Sequence, residues 1–301
     1  MIIAENLTKI YGGIKVVDSV SFAVDKGDIF GFIGPNGAGK TTTMGMMVGM
    51  IEPTGGRCYI DGIDVTRYPI LAKKRIGYLP ESIGFYTNLT GRQNLKFFSK
   101  FYGMEGAKAN TRIASLLDYV GLGQNDKPVE QYSKGMSQRL GIAHALLNDP
   151  DVLFLDEPTN GLDPQGIIQL RNILKELAGK GKTIIFSSHI IGEISHICNK
   201  IGIISRGRMI AHGTLDEVKK QMSEEDILTI FVRVNGPMPE LSNSNIIQVK
   251  YSDRSAVIRS RSDIREELSI ELSQKNLHVC DLRIEEKSLE DIFIKTIYNG
   301  G

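Results

Sequence analysis

The run Gly34-Pro-Asn-Gly-Ala-Gly-Lys40-Thr41 constrains this chain of 301 residues more than any other stretch. It fits the pattern G-x-x-x-x-G-K-[ST], it follows the apolar stretch Asp28 to Ile33, and a helical pattern from Gly39 to Met50 continues it. Gly34, Gly37 and Gly39 let backbone N–H groups approach phosphate oxygens, and a helix starting there adds the positive end of its dipole. In such a loop Lys40 reaches the β- and γ-phosphates, Thr41 ligates Mg²⁺, and Asn36 and Thr42 belong to the same cradle. The loop implies a nucleoside triphosphate.

A strand, a phosphate loop and a helix in this order call for a parallel sheet, and the chain supplies its other strands. Val152 to Leu155 and Thr183 to Ser187 are continuous apolar stretches, as expected of strands covered on both faces. Met1 to Leu7 and Val16 to Val24 are β-branched-rich stretches set apart by Gly12-Gly13. A helix is announced by the capping box Thr90-x-x-Gln93, with Leu95, Phe97, Phe98 and Phe101 as its buried positions, and a helical pattern persists to about Leu147. This alternation indicates an α/β core.

Composition excludes other classes. With 36 basic and 35 acidic side chains there is no general electrostatic reason to bind nucleic acid. The longest apolar runs fall far short of the roughly 18 to 20 residues that cross a bilayer. Cys58, Cys198 and Cys280 match no metal-ligand spacing, so neither zinc nor a disulfide is expected. The first lysine is Lys9, with no charged and apolar leader pattern, and a cytoplasmic location is the expectation. Past Gly213 a charged helix, Leu215 to Gln221, leads into Ser223, Glu224, Glu225 and Asp226, and the domain boundary is expected there, giving 1–221 and 222–301. The second part carries net charge −4 against +5 for the first. Its expected elements are strands at Ile227 to Val234, Ile246 to Tyr251 and Ala256 to Ser260, a helix at Asp263 to Lys275, a strand at Leu277 to Ile284 and a helix at Ser288 to Tyr298, a small α+β domain.

Val152-Leu-Phe-Leu-Asp156-Glu157-Pro158 is an apolar strand that ends in two adjacent carboxylates. Beside a phosphate loop they divide the work: Asp156 holds the Mg²⁺ shell and Glu157 accepts a proton from the attacking water. Upstream lies Tyr132-Ser133-Lys134-Gly135-Met136, which reads as a helix start capped by Ser133.

With these motifs the chain resembles the ATP-binding subunits of ABC transporters over roughly Met1 to Thr214. The resemblance implies a P-loop NTPase core of ABC type, with an N-terminal antiparallel β-subdomain and a helical subdomain at about 82–147. Y-S-K-G-M stands for the family signature L-S-G-G-Q, so Ser133 and Gly135 would bind the γ-phosphate of ATP held by a second ATP-binding subunit; Tyr132, Lys134 and Met136 depart from the consensus. Tyr11 matches the aromatic that stacks on adenine, Asn160-Gly161-Leu162-Asp163 matches the D-loop, and His189 matches the histidine that senses the γ-phosphate. Glu81, in Gly77-Tyr-Leu-Pro-Glu81, replaces the usual Q-loop glutamine and is read as a Mg²⁺ or water ligand. The implied function is ATP hydrolysis by a dimer that drives separate membrane permease subunits, placing the chain on the inner face of the membrane. Y-S-K-G-M, G-Y-L-P-E and the ending S-L-E-D-I-F resemble prokaryotic exporters of drugs, antibiotics or sodium. The alternatives are an importer ATPase and a soluble ABC ATPase acting on nucleic acid or ribosomes.

Overall fold

The computed structural model describes residues 1–194, 196–222, 227–285, 290 and 293. It divides into two units, Met1–Val218 and Lys219–Gly301, the division falling inside the helix Leu215–Met222.

The first unit starts with the strands β1 (Ile2–Tyr11) and β2 (Ile14–Val24), which pair antiparallel. After β3 (Ile29–Ile33) and α1 (Lys40–Met47), the chain returns to β1 with β4 (Gly55–Ile60) and the two-residue β5 (Ile63–Asp64), making an antiparallel sheet of order β2-β1-β4-β5. The sequence Gly-Gly-Arg-Cys-Tyr-Ile of β4 has too little apolar pattern to be legible alone; its ladder to β1, from Ile2↔Ile60 to Glu5↔Arg57, defines it.

A short helix α2 (Pro69–Lys73) precedes β6 (Ile76–Leu79). The helices α3 (Gly91–Ser99), α4 (Gly106–Tyr119) and α5 (Lys134–Ala145) follow before β7 (Val152–Leu155). Then come α6 (Pro164–Gly179), β8 (Thr183–Ser188), α7 (Ile191–Ile194), β9 (Lys200–Ser205) and β10 (Arg208–Gly213). The second sheet has the order β10-β9-β3-β8-β7-β6, with β10 antiparallel at one edge and the other five strands parallel. Every residue of β3, β7 and β8 is buried, which is why β3, β7 and the Ile184 to Phe186 centre of β8 are apolar; the buried hydroxyls Thr183, Ser187 and Ser188 stand at the ends of β8. Phe22 of β2 stacks on Phe30 and Phe32 of β3 with ring centroids 5.0 and 5.7 Å apart, so one aromatic cluster joins the two sheets. Gly77 of β6 is a point of close approach, since a β-carbon there would lie 2.8 Å from Pro150 Cγ and collide with the Ala145 carbonyl.

The capping box is present: Thr90 Oγ1 accepts from Gln93 N–H at 3.2 Å and Gln93 Oε1 accepts from Thr90 N–H at 2.9 Å. Of the four positions expected to be buried, Leu95 is buried and Phe97 and Phe98 are half-buried, but Phe101 is 74% exposed. The α-helix ends at Ser99, and the 3₁₀ turn Lys100–Tyr102 rotates Phe101 away from the inner face, leaving it edge-on to Phe97 at 5.5 Å.

Helix α8 (Leu215–Met222) leads into the second unit. There β11 (Leu228–Val234), β12 (Ile246–Tyr251), β13 (Ser255–Ser260) and β14 (Val279–Ile284) form an antiparallel sheet of order β12-β13-β11-β14, with α9 (Arg265–Gln274) between β13 and β14 in the chain. Ile230, Val232, Val234, Ala256 and Ile258 face Leu268 and Leu272 of α9 in one core. The expected helix Ser288 to Tyr298 lies outside the described residues except at Glu290 and Phe293, the latter buried. No helix among the described residues is long and apolar enough to cross a membrane.

Candidate active site

Parallel strands deliver their C-terminal ends to one edge of a sheet, and four of the singled-out segments leave from that edge. The phosphate loop follows β3, Glu81 follows β6, Asp156 and Glu157 follow β7, and His189 follows β8. The register keeps them level: Ile33 pairs with Ser188, Leu155 with Phe186, and Leu79 with Leu155. A cavity of about 270 Å³ results, lined by the loop from Asn36 to Thr42 together with Glu81, Glu157, Asn160 and His189. Val16 of β2 closes one side.

The loop conformation is fixed by sterics. Gly39 has φ 102°, and a β-carbon on it would meet the Val16 carbonyl at 2.8 Å; a β-carbon on Gly34 would meet Ile204 Cγ2 at 2.9 Å and collide with the Ile204 carbonyl. Gly34 is therefore buried behind the cavity and does not line it. The three threonines after Lys40 divide by direction. Thr41 is exposed and Thr42 half-buried in the cavity wall, while buried Thr43 donates its hydroxyl to the Gly39 carbonyl at 2.8 Å. The first turn of α1 presents N–H groups with no acceptor inside the helix, directed at the loop.

Lys40 and Glu157 are only 6% and 7% exposed. Lys40 Nζ donates to the carbonyls of Gly34 at 2.8 Å and Pro35 at 3.3 Å and lies 3.2 Å from Glu157 Oε1. The other carboxylate oxygen of Glu157 is 2.9 Å from His189 Nδ1. One buried carboxylate thus bridges the loop lysine and the histidine after β8, and burial of both charges is tolerable because each is paired. Glu157 also has φ 50°, a left-handed conformation that costs a side-chain-bearing residue about 1 kcal/mol or more. Its N–H donates to Ser187 Oγ at 2.9 Å, and its carbonyl accepts from Asn160 N–H at 3.1 Å.

Asp156 is fully buried and does not line the cavity. Ser187 Oγ donates to its Oδ1 at 2.5 Å, whereas its Oδ2 has no hydrogen-bond partner. Burial, then the Asp156 and Glu81 carboxylates, push the half-buried Tyr78 phenol up to about 12. A hard dication fits this donor set: an orphaned buried carboxylate oxygen, the exposed Thr41 hydroxyl and the Glu81 carboxylate are all oxygen ligands. Among the described residues no three His, Cys, Asp or Glu side chains form a metal cage by themselves. Ser187, one residue inside the end of β8, is a site residue that the sequence marks only by the pair of hydroxyls before His189.

The remaining residues lie elsewhere. Ser133 and Gly135 line a second cavity of about 330 Å³ together with Lys134, Arg139 and the loop Gly161, Leu162 and Asp163. Ser133 caps α5, its Oγ accepting from Met136 N–H at 3.2 Å. Tyr11, 48% exposed at the end of β1, is outside the lining of the first cavity, with Lys9 Nζ 5.0 Å from its ring centroid.

A profile of the family described as ABC transporter matches residues 17–160, and one described as the C-terminal domain of ATP-binding protein DrrA1-3-like matches residues 213–297. The linearmycin resistance ATP-binding protein LnrL of Bacillus subtilis (strain 168) is 34% identical over 302 residues, spanning 98% of this chain and 97% of that protein. The bacitracin transport ATP-binding protein BcrA of Bacillus licheniformis is 38% identical over 307 residues, spanning 98% and 96%. Among solved structures, the ATP-binding cassette MJ0796, dimeric in a post-hydrolysis state bound to ADP and Pi, superposes with a TM-score of 0.67 at 26% identity over 71% of this chain and 99% of its own.

The double role of Ser187 gives a direct test. Ser187→Ala strands the Glu157 N–H and removes the donor to Asp156 Oδ1, both buried. The urea unfolding midpoint should fall by an amount equivalent to about 2–4 kcal/mol, and an unchanged midpoint contradicts the bridging role.

Proposed function

The chain belongs to the ATP-binding subunits of ABC transporters, with a DrrA-like C-terminal domain, and from that premise we propose how it hydrolyses ATP and what it drives. The observation that carries the reading is Glu157, held between Lys40 and His189 on the wall of a cavity made by the phosphate loop.

In this reading the backbone of Asn36, Gly37 and Gly39 and the side chains of Lys40 and Thr42 take the triphosphate, Gly34 behind them serves by holding Lys40 through its carbonyl, and Tyr11 stacks on the base. Thr41, Asp156 and Glu81 would hold Mg²⁺, which would supply neutralisation of phosphate charge. Glu157 accepts the proton of the attacking water, and His189, already 2.9 Å from it, orients the carboxylate and meets the γ-phosphate. Ser133 and Gly135 line a separate cavity in this chain, which suits their use by the nucleotide of a second ATP-binding subunit. Separate transmembrane subunits receive the work, at the inner face of the membrane, and residues 222–301 serve as an accessory domain without catalysis.

The function is exporter-like, and the relatives named above for linearmycin resistance and bacitracin transport suggest an antibiotic-type cargo. Cells lacking the chain should become more sensitive to such compounds, and unchanged sensitivity across an antibiotic panel argues against this cargo class.

Purified protein separates the assigned roles. Glu157→Gln should bind ATP with near-normal affinity while kcat falls by about 100-fold or more, and Lys40→Ala should weaken nucleotide binding itself. Normal turnover by the glutamine variant removes Glu157 from the role of base.

At Glu81 the requirement is for oxygen coordination. Glu81→Gln should keep most of the ATPase activity and Glu81→Ala should lose much of it, as read from kcat at saturating Mg²⁺. Equal rates in all three forms would leave Glu81 as a loop residue only.

A further inference from the structure

Lys134 stands where the signature L-S-G-G-Q has a glycine, and it is the first residue of α5. Its stem runs across the loop that follows Glu157. A β-carbon on Gly161 would lie 2.6 Å from Lys134 Cγ and 2.7 Å from Lys134 Cε, with Cδ closer still. Gly161 has φ 82°, so it needs glycine for its backbone as well as for the room the lysine takes.

The loop beneath that stem joins the two cavities. Asn160 lines the first with Lys40, Glu157 and His189, whereas Gly161, Leu162 and Asp163 line the second with Ser133 and Gly135. Its ends are tied: Asn160 N–H donates to the Glu157 carbonyl at 3.1 Å, and Asp163 Oδ1 accepts from Gly166 N–H at 2.7 Å at the start of α6. The middle has no side chain of its own at Gly161, so what packs there comes from α5. The next loop residue, Leu162, approaches the first turn of α5, its Cδ2 lying 3.5 Å from where a Gly135 β-carbon would be.

We infer that Lys134 is a positioning residue of the ATPase reaction: its aliphatic stem clamps Gly161 and so fixes Asn160 against the nucleotide cavity, linking that cavity to the start of α5. The inference rests on the ATPase reading above. A lysine stem covers backbone and apolar surface while its ammonium stays in water, so the clamp uses the methylenes and leaves the charge free. A glycine at this position supplies no cover, and the loop between the cavities would then sample more conformations.

The test uses the full chain as wild type, Lys134→Ala, which removes the stem, and Lys134→Met, which keeps most of it without the charge. Alanine is the strongest helix former, so loss of α5 is not expected, and urea unfolding checks the fold of each form. Amide hydrogen exchange over residues 159–163 is measured without nucleotide, and kcat and KM are measured with ATP. For Lys134→Ala, loop exchange should quicken about five-fold and kcat should fall about five-fold while KM stays within about two-fold, with both effects reversed in Lys134→Met. Three results overturn the inference: wild-type exchange and turnover in the alanine variant, faster exchange with unchanged kcat, or a methionine variant as impaired as alanine, which would assign the role to the ammonium. Failure of the ATPase reading itself looks different, because the wild-type chain would then neither bind nor hydrolyse ATP whatever the exchange rates show.

Discussion

The level register of the parallel strands β3, β8, β7 and β6 is the constraint on which the site depends. Side chains in a parallel sheet cannot be moved along one strand without shifting their whole row, so pairing Ile33 with Ser188 and Leu155 with Phe186 sets how far beyond the sheet the next residues begin. Lys40, Glu157 and His189 come from segments more than a hundred residues apart in places, yet meet within hydrogen-bonding distance because their strands end together. The register is in turn held by burial on both faces, with the Phe22, Phe30 and Phe32 cluster fastening the antiparallel sheet across it.

Within that frame the charged groups are arranged so that none of the closest ones stands alone. Lys40 spends two donors on loop carbonyls and faces Glu157 with its charge, Glu157 shares its other oxygen with His189, and Ser187 serves both neighbouring carboxylate residues at once. The oxygen left over, Asp156 Oδ2, is the one that an oxygen-seeking cation would use. The strained backbone at Glu157 belongs to the same design, since a left-handed residue after β7 turns its carboxylate toward the phosphate loop and the surrounding hydrogen bonds hold it there. A site built in this way is sensitive to small displacements, which is why a loop such as Asn160 to Asp163, lying between two cavities, matters beyond its own few contacts.

Much of this was legible in the sequence. The order of glycines, lysine and threonine in Gly34 to Thr41, the paired carboxylates after an apolar run and the Thr90 capping box are local patterns, and their geometry follows from backbone sterics and helix-end chemistry without knowledge of the rest of the chain. Contacts with partners distant in the chain were not legible. The strand β4 is defined by its partner β1 rather than by its own pattern, Phe101 leaves the helix face because α3 gives way to a 3₁₀ turn, and Ser187 acquires its part only when β8 lies beside β7.

The sequence by itself determined the phosphate loop, the α/β class and which residue types carry charge, because each is written in neighbours a few positions apart. Tertiary structure alone decided that Lys40, Glu157 and His189 share one network while Ser133 and Gly135 line another cavity, and that the stem of Lys134 covers Gly161. The physical reason is distance along the chain: local sterics and capping act over one turn, whereas strand register and the packing of one side chain over a distant glycine arise only when the whole sheet has closed.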